Sequence, residues 1–246
     1  MNKLTWIIAK REWASRFNSP VAYVFLIIFL VLMGFFTFNI SRFYEAGQAD
    51  LSQSFFIWHP WLFLILIPAV SMGIWSEERR ANTIEVLFTL PVTPMQAIVG
   101  KFLASWLFVA LAIILTFPVI WTTDYLGEPD RGVIFAGYLG SVLLAGAYLS
   151  IGMFTSALSK NQVISFIVAV VIGLFLILAG FPPVTDFLSD FLPANIVDGI
   201  AGFSFVSHFE TLQRGIIDLR DIFYFASVIA FMLFATQVVL NNKASS

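Results

Sequence analysis

Cysteine is absent from the 246 residues, which removes disulfides, thiolate nucleophiles and thiolate metal sites at once. Histidine is nearly absent too: His59 and His208 are too few and too far apart to read as a metal cluster. Charge is scarce, Asp, Glu, Lys and Arg making up 11% of the chain against roughly 25% in an ordinary soluble domain. Nucleotide and hydrolase signatures are missing as well. Gly100-Lys101 is followed by Phe102 and preceded by no phosphate-cradling loop, so the chain cannot hydrolyse ATP unaided. No Gly-x-Ser-x-Gly, His-Glu-x-x-His or Gly-x-Gly-x-x-Gly occurs either.

What the chain has in abundance is apolar surface, with 59% hydrophobic residues and a mean hydropathy of +0.91. A core built from this length of chain cannot hide that much apolar area from water, and lipid is the better solvent. The charges cluster and leave six uncharged stretches, 17–41, 51–76, 102–123, 132–159, 161–185 and 222–242, each long enough to cross a hydrocarbon core as a helix. They are continuously apolar, as in Val24-Phe25-Leu26-Ile27-Ile28-Phe29, rather than alternating, so a barrel is excluded. The expected fold is an all-α integral membrane protein forming a single transmembrane domain over 1–246, with spans near 21–40, 58–76, 102–122, 133–157, 162–180 and 222–240. The first stretch is too long for a signal-peptide core and is expected to stay as the first span. No residue within the spans is charged, which argues against an ion-coupled pump, since those place ionisable groups at mid-membrane.

Orientation follows from the bases. Six helices put both termini on one side. That side would hold nine of the thirteen lysines and arginines, Lys3, Lys10, Arg11, Arg16, Arg79, Arg80, Lys101, Lys160 and Lys243, so the termini are expected in the cytoplasm. Eleven of the fifteen acids fall on the other side.

Residues 1–20 carry Trp6, Trp13 and Phe17 at helical spacing, with Leu4, Ile7 and Ile8 on another face and bases between, the pattern of an interfacial helix. In the loop Glu77–Lys101, Asn82 and Glu85 have capping-box spacing, so a short helix is expected from about Thr83 until Pro91 stops it. Thr93-Pro94 with Gln96 then opens the helix that becomes the third span. The short helix would place Ile84, Leu87 and Phe88 on one face, and two turns cannot persist in water without something to lie on. The quartet Glu77, Glu78, Arg79 and Arg80 reads either as a charged docking patch or as a solvated cluster at the membrane surface. Near the other end, 199–209 is an apolar run of eleven residues, too short to span, and is expected as re-entrant short helices that bury Phe203, Phe205 and Phe209 and leave Asp186, Asp190 and Asp198 in water. Within the spans, Asn39, Ser71, Thr116, Ser150, Thr155, Ser165 and Gln237 are expected to serve helix packing as interhelical glue, and Gly137, Gly140, Ala145, Gly146 and Gly152 to admit close helix contact. Pro68 and Pro118 should kink spans 2 and 3. His59-Pro60 and the tryptophans near span ends read as interface belts.

The phrase Glu78-Arg79, Asn82-Thr83-Ile84-Glu85, Val86-Leu87-Phe88, Pro91 and Gly100-Lys101 resembles the permease subunits of ABC-2 type ABC transporters, most of all the gliding-motility-associated permeases. Asn82 stands where that family often has Gly, and Asn tolerates both left-handed and capping conformations. The resemblance implies that the short loop helix is a coupling helix docking on a separate ATP-binding subunit, with Glu77, Glu78, Arg79, Arg80, Thr83, Ile84, Glu85, Leu87 and Phe88 as the coupling residues. It implies that two permeases and two ATPases form the working unit, with an accessory protein of large extracytoplasmic domain. No cofactor would sit on this chain, since ATP and Mg belong to the partner ATPase. The expected partners beyond these are membrane lipid and no nucleic acid. The reading is therefore a permease half, for export, in a bacterial inner membrane. A lipid-acting intramembrane enzyme and a non-transport, force-transmitting scaffold remain as alternatives, and a neighbouring gene encoding the phosphate loop would discriminate among them.

Overall fold

Backbone amides in lipid must find partners within their own segment, and every long apolar stretch here becomes a helix. The computed structural model describes residues 3–47, 49–84 and 91–244; 81% of the described residues are helical and none is in a strand. Helix α1 is Lys3–Phe17 and α2 is Pro20–Phe35, started by Ser19 as cap and by Pro20 in the first turn. Helix α3, His59–Ser71, is followed after Met72 by α4, Gly73–Arg80. Helices α5, Pro94–Ile114, and α6, Pro118–Leu126, make the third long unit. Then come α7, Arg131–Leu158, capped by Asp130, and α8, Gln162–Leu178, capped by Asn161. Three short helices follow, α9 Pro182–Ser189, α10 Ala194–Ala201 and α11 Phe205–Gln213. The last is α12, Leu219–Ala244.

Among the described residues, five helical units are long and apolar enough to cross a membrane: Pro20–Glu45, Phe56–Arg80, Pro94–Leu126, Arg131–Leu158 and Leu219–Asn242. The fifth expected span, α8, bends by 69° into α9, so six spans are reached when that pair is counted as one.

Helix α7 is the axle of the bundle, because its small residues admit neighbours on every side. A Cβ on Gly137 would fall 2.4 Å from the Phe56 ring, on Gly140 2.9 Å from Leu212, on Gly146 2.9 Å from Ile229 and Trp106, and on Gly152 1.8 Å from Ser71 Oγ. The small-residue series thus does what its spacing foretold. Gly152→Ala pushes a methyl into Ser71, whose own Cβ is only 2.7 Å away, so rotating the hydroxyl does not relieve the clash. A thermal-unfolding measurement in detergent should show a loss of about 1–3 kcal/mol, the usual cost of overpacking, and Ser71→Gly in the same chain should recover part of it.

Several expectations are corrected. Span hydroxyls mostly bond carbonyls of their own helix, Ser71 to Ile67, Ser150 to Ala147, Thr155 to Gly152 and Ser165 to Asn161; Thr116, at 3.0 Å from the Tyr138 hydroxyl, does reach across. Helix α3 runs through Pro68 and breaks four residues later at Met72. His59 is no belt residue: it is fully buried among Phe55, Phe56, Phe63 and Phe209, and Trp75 is fully buried as well. In the 199–209 run, Ser204 caps α11 and divides the segment, burying Phe205 and Phe209 but leaving Phe203 in the turn and exposed. Asp186, Asp190 and Asp198 are exposed as expected.

Candidate functional site

The densest polar cluster lies where α1, α4, α5 and α7 meet, at the root of the loop that leaves α4. Its centre is Lys101, one turn into the apolar part of α5 and only 6% exposed. The ammonium takes Glu78 of α4 at 2.7 Å and Glu12 of α1 at 3.5 Å, and it lies 5.2 Å from the centroid of the Trp75 ring. An ammonium in so dry a place needs compensation, and two helices supply it, α1 through Glu12 and α4 through Glu78 and Trp75. Burial alone would raise the Glu12 carboxyl, but Lys101 and then Arg11 outweigh it and hold it below the usual carboxylate range.

Gly100 brings α1 into this cluster. A Cβ there would lie 2.8 Å from Ile8 Cγ2 and 3.1 Å from the Thr5 backbone oxygen, so α1 presses directly on the α5 backbone. The inward face of α1 is accordingly small and polar, with Thr5 and Ala9 buried, Glu12 on Lys101 and Arg16 donating to Ser105 Oγ. Trp6 and Ile7 point away and are exposed. Burial lowers the Arg16 guanidinium from its ordinary value against the pull of Glu12.

Helix α4 is fastened to α7 by a second device. Ser156 Oγ accepts from the amides of Trp75 and Ser76, at 2.9 and 3.0 Å, and donates to the Met72 carbonyl at 2.8 Å. The hydroxyl of one span is thereby inserted into the hydrogen-bond ladder of another, a recognised cause of a helix break, and it satisfies two amides that the break would orphan. Arg79 Nη1 adds a bond to the Ala157 carbonyl at 2.8 Å, and Gln162 of α8 donates to Glu77 at 2.6 Å.

Of the charged quartet singled out by sequence, then, Glu78 and Arg79 are turned inward and Glu77 is tied to α8, while Arg80 is exposed and forms no ion pair among the described residues. Asn82, whose expected capping partner Glu85 lies outside the described residues, ends α4. It is left-handed, with φ of 54°, and the Asn82 amide reaches Arg79 O and the Thr83 amide Glu78 O, the paired bonds of a Schellman end to α4. That conformation explains why glycine is acceptable at this position. Thr83 is exposed, its hydroxyl 3.3 Å from Glu78 O, and Ile84 is helical and partly buried against the core. Glu85, Leu87 and Phe88 lie outside the described residues. The Thr93 box opens α5 as expected, Gln96 N donating to Thr93 Oγ1 at 3.3 Å and Thr93 N to Gln96 Oε1 at 3.1 Å.

A family model for the ABC-2 family transporter protein matches residues 6–241. The chain belongs to the ABC-2 transporter family. No curated protein matches it. Permeases of the ABC-2 family work with ATP-binding ABC subunits and are typically non-catalytic. In this ABC-2 chain no three His, Asp or Glu side chains converge as metal ligands would among the described residues. The junction joins the loop root to α1, α5, α7 and α8 through ion pairs and hydrogen bonds. Glu12, Arg16, Lys101 and Ser156 were not singled out by sequence as site residues. The signal for the first three was a lysine at the mouth of an apolar run with a strip of small and polar residues, Thr5, Ala9, Glu12 and Arg16, on the first helix.

Proposed function

We propose that the chain is the permease half of an ATP-driven exporter in a bacterial inner membrane, both termini cytoplasmic, and that the 83–90 segment couples it to a separate ATPase. The observation that carries this reading is the junction around Lys101, through which displacement of the loop root would reach α1, α5 and α7 together. A loop with no such attachment could move without moving the bundle. Arg80 is the member of the quartet whose charge faces outward, and it would meet the ATPase alongside the apolar anchors Ile84, Leu87 and Phe88. Two copies with two ATPases make the working unit in this proposal, with an extracytoplasmic accessory protein, as in the gliding-motility-like branch.

The test is co-purification. Leu87→Asp or Phe88→Asp should abolish recovery of the ATPase encoded beside this chain while membrane insertion is unchanged, since a buried unpaired charge costs about 3 kcal/mol or more, over a hundredfold in affinity. Full recovery from the double variant would remove the coupling assignment.

A further inference from the structure

A cavity of about 680 Å3 opens between α2 and the α3–α4 unit and ends at the junction. Its length is lined by Val24 and Ile28 of α2, half exposed, and by Leu66 and Val70 of α3. Its closed end is charged: Arg16, Glu12, Glu77, Glu78 and Lys101 all line it. Such a volume is in the range of small-molecule sites, roughly 300–1,000 Å3, and its apolar wall belongs to helices that face hydrocarbon.

The charged end has unmet bonding capacity of both signs. Arg16 has five N–H donors; Ser105 takes one, the guanidinium carbon lies 6.0 Å from the Phe108 centroid, and no carboxylate of the described residues is within ion-pair distance. Glu78 gives one carboxylate oxygen to Lys101, and its other, Oε2, is buried without a partner. Ser105 and Lys101 are successive turns of α5, so the Arg16 donors and the Glu78 acceptor stand at neighbouring levels of the groove.

We propose that this groove holds one phospholipid of the adjacent leaflet, with its phosphate on Arg16, its primary ammonium on Glu78 and Glu77, and an acyl chain between α2 and α3. Three acids against two bases disfavour a purely anionic headgroup, and a free cation leaves Arg16 unmet. A primary ammonium brings three donors to the orphaned carboxylate oxygen, whereas a quaternary one brings none, so the site distinguishes ethanolamine from choline headgroups. The inference needs no ATPase and stands apart from the coupling proposal.

The full chain in mild detergent, given an equimolar mixture of phosphatidylethanolamine, phosphatidylcholine and phosphatidylglycerol with identical acyl chains, is read by native mass spectrometry. The ethanolamine lipid should be retained over the choline lipid by about tenfold or more, the scale of one charge-assisted hydrogen bond. Arg16→Gln and Glu77→Gln should each cut that preference several-fold, and Arg16→Lys should keep most of it. Ile28→Trp, which fills the apolar length and touches no charge, should remove the adduct; with Glu77→Gln it decides the matter if Arg16→Gln fails to fold. Equal retention of the three lipids, preference for the glycerol headgroup, or a preference unchanged in Arg16→Gln and Glu77→Gln overturns the proposal. So does an efficient Ile28→Cys disulfide between two copies in membranes, which would mean that a second chain fills the groove.

Discussion

Lys101→Met should unfasten α1 from the bundle. The ammonium holds Glu12 and Glu78 at 3.5 and 2.7 Å; without it, Glu12 keeps only the exposed Arg11 and Glu78 has no ion-pair partner among the described residues in a partly dry site. Removing one partner of a buried ion pair costs about 3–5 kcal/mol, and the lower end applies because both carboxylates keep some contact with solvent. Thermal unfolding reads the total. Labelling of a thiol at position 9, now 2% exposed, reads the local event, and in a chain without native cysteine the signal is unambiguous. We expect labelling to accelerate tenfold or more, in keeping with more than 1.4 kcal/mol of lost docking. Glu12→Gln with Lys101→Met should recover part of the loss, since it removes one of the stranded charges. Unchanged labelling in Lys101→Met would mean that the Gly100 contact with Ile8 holds α1 by itself.

Much of this arrangement was legible in the sequence because lipid imposes long apolar runs and makes few other demands. The spans near 21–40, 58–76, 102–122, 133–157 and 222–240 each fall within a unit long enough to cross, and the glycines of α7 marked its contacts. The Thr93-Pro94-Gln96 start of α5 was readable because capping is local. The failures share a cause, which is that the deciding partner lies far along the chain. The strip that α1 buries looks like the polar side of an amphipathic helix until Lys101 and Ser105, some ninety residues on, are brought against it. Asn82 suited a helix start in the local sequence, and its left-handed turn at the end of α4 is visible only once the 82 and 83 amides meet Arg79 O and Glu78 O. His59 beside a proline resembles an interface residue, and only the fold surrounds it with Phe55, Phe63 and Phe209.

The second large effect is expected at Ser156. Ser156→Ala deletes the one oxygen that serves the Trp75 and Ser76 amides and also the donor to Met72 O. These groups sit in the buried part of the bundle, where an unsatisfied amide costs about 1–3 kcal/mol; with two of them the loss should reach about 3 kcal/mol, several times that of an ordinary Ser→Ala change. Ser156→Thr keeps the hydroxyl and should retain most of the stability. Hydrogen exchange at Trp75 and Ser76 separates local opening from global unfolding: in Ser156→Ala those two amides should exchange faster than their neighbours on α3. Slow exchange there would mean that the amides close onto backbone carbonyls and that the hydroxyl is dispensable.

The same hydroxyl also limits the kinematics of the bundle. Sliding α4 along α7 toward Gly152 by one turn, about 5.4 Å, breaks all three bonds of Ser156 at once and offers no equivalent partner, because glycine brings no hydroxyl. Tilting α4 about the oxygen keeps every bond near its present length. Of the relative motions open to two packed helices, translation toward Gly152 is thus blocked at this contact and rotation about a fixed point is left. Any stroke delivered to the end of α4 near Asn82 is converted there into an angle, with Ser156 as fulcrum and the six residues from Glu77 to Asn82 as the lever arm.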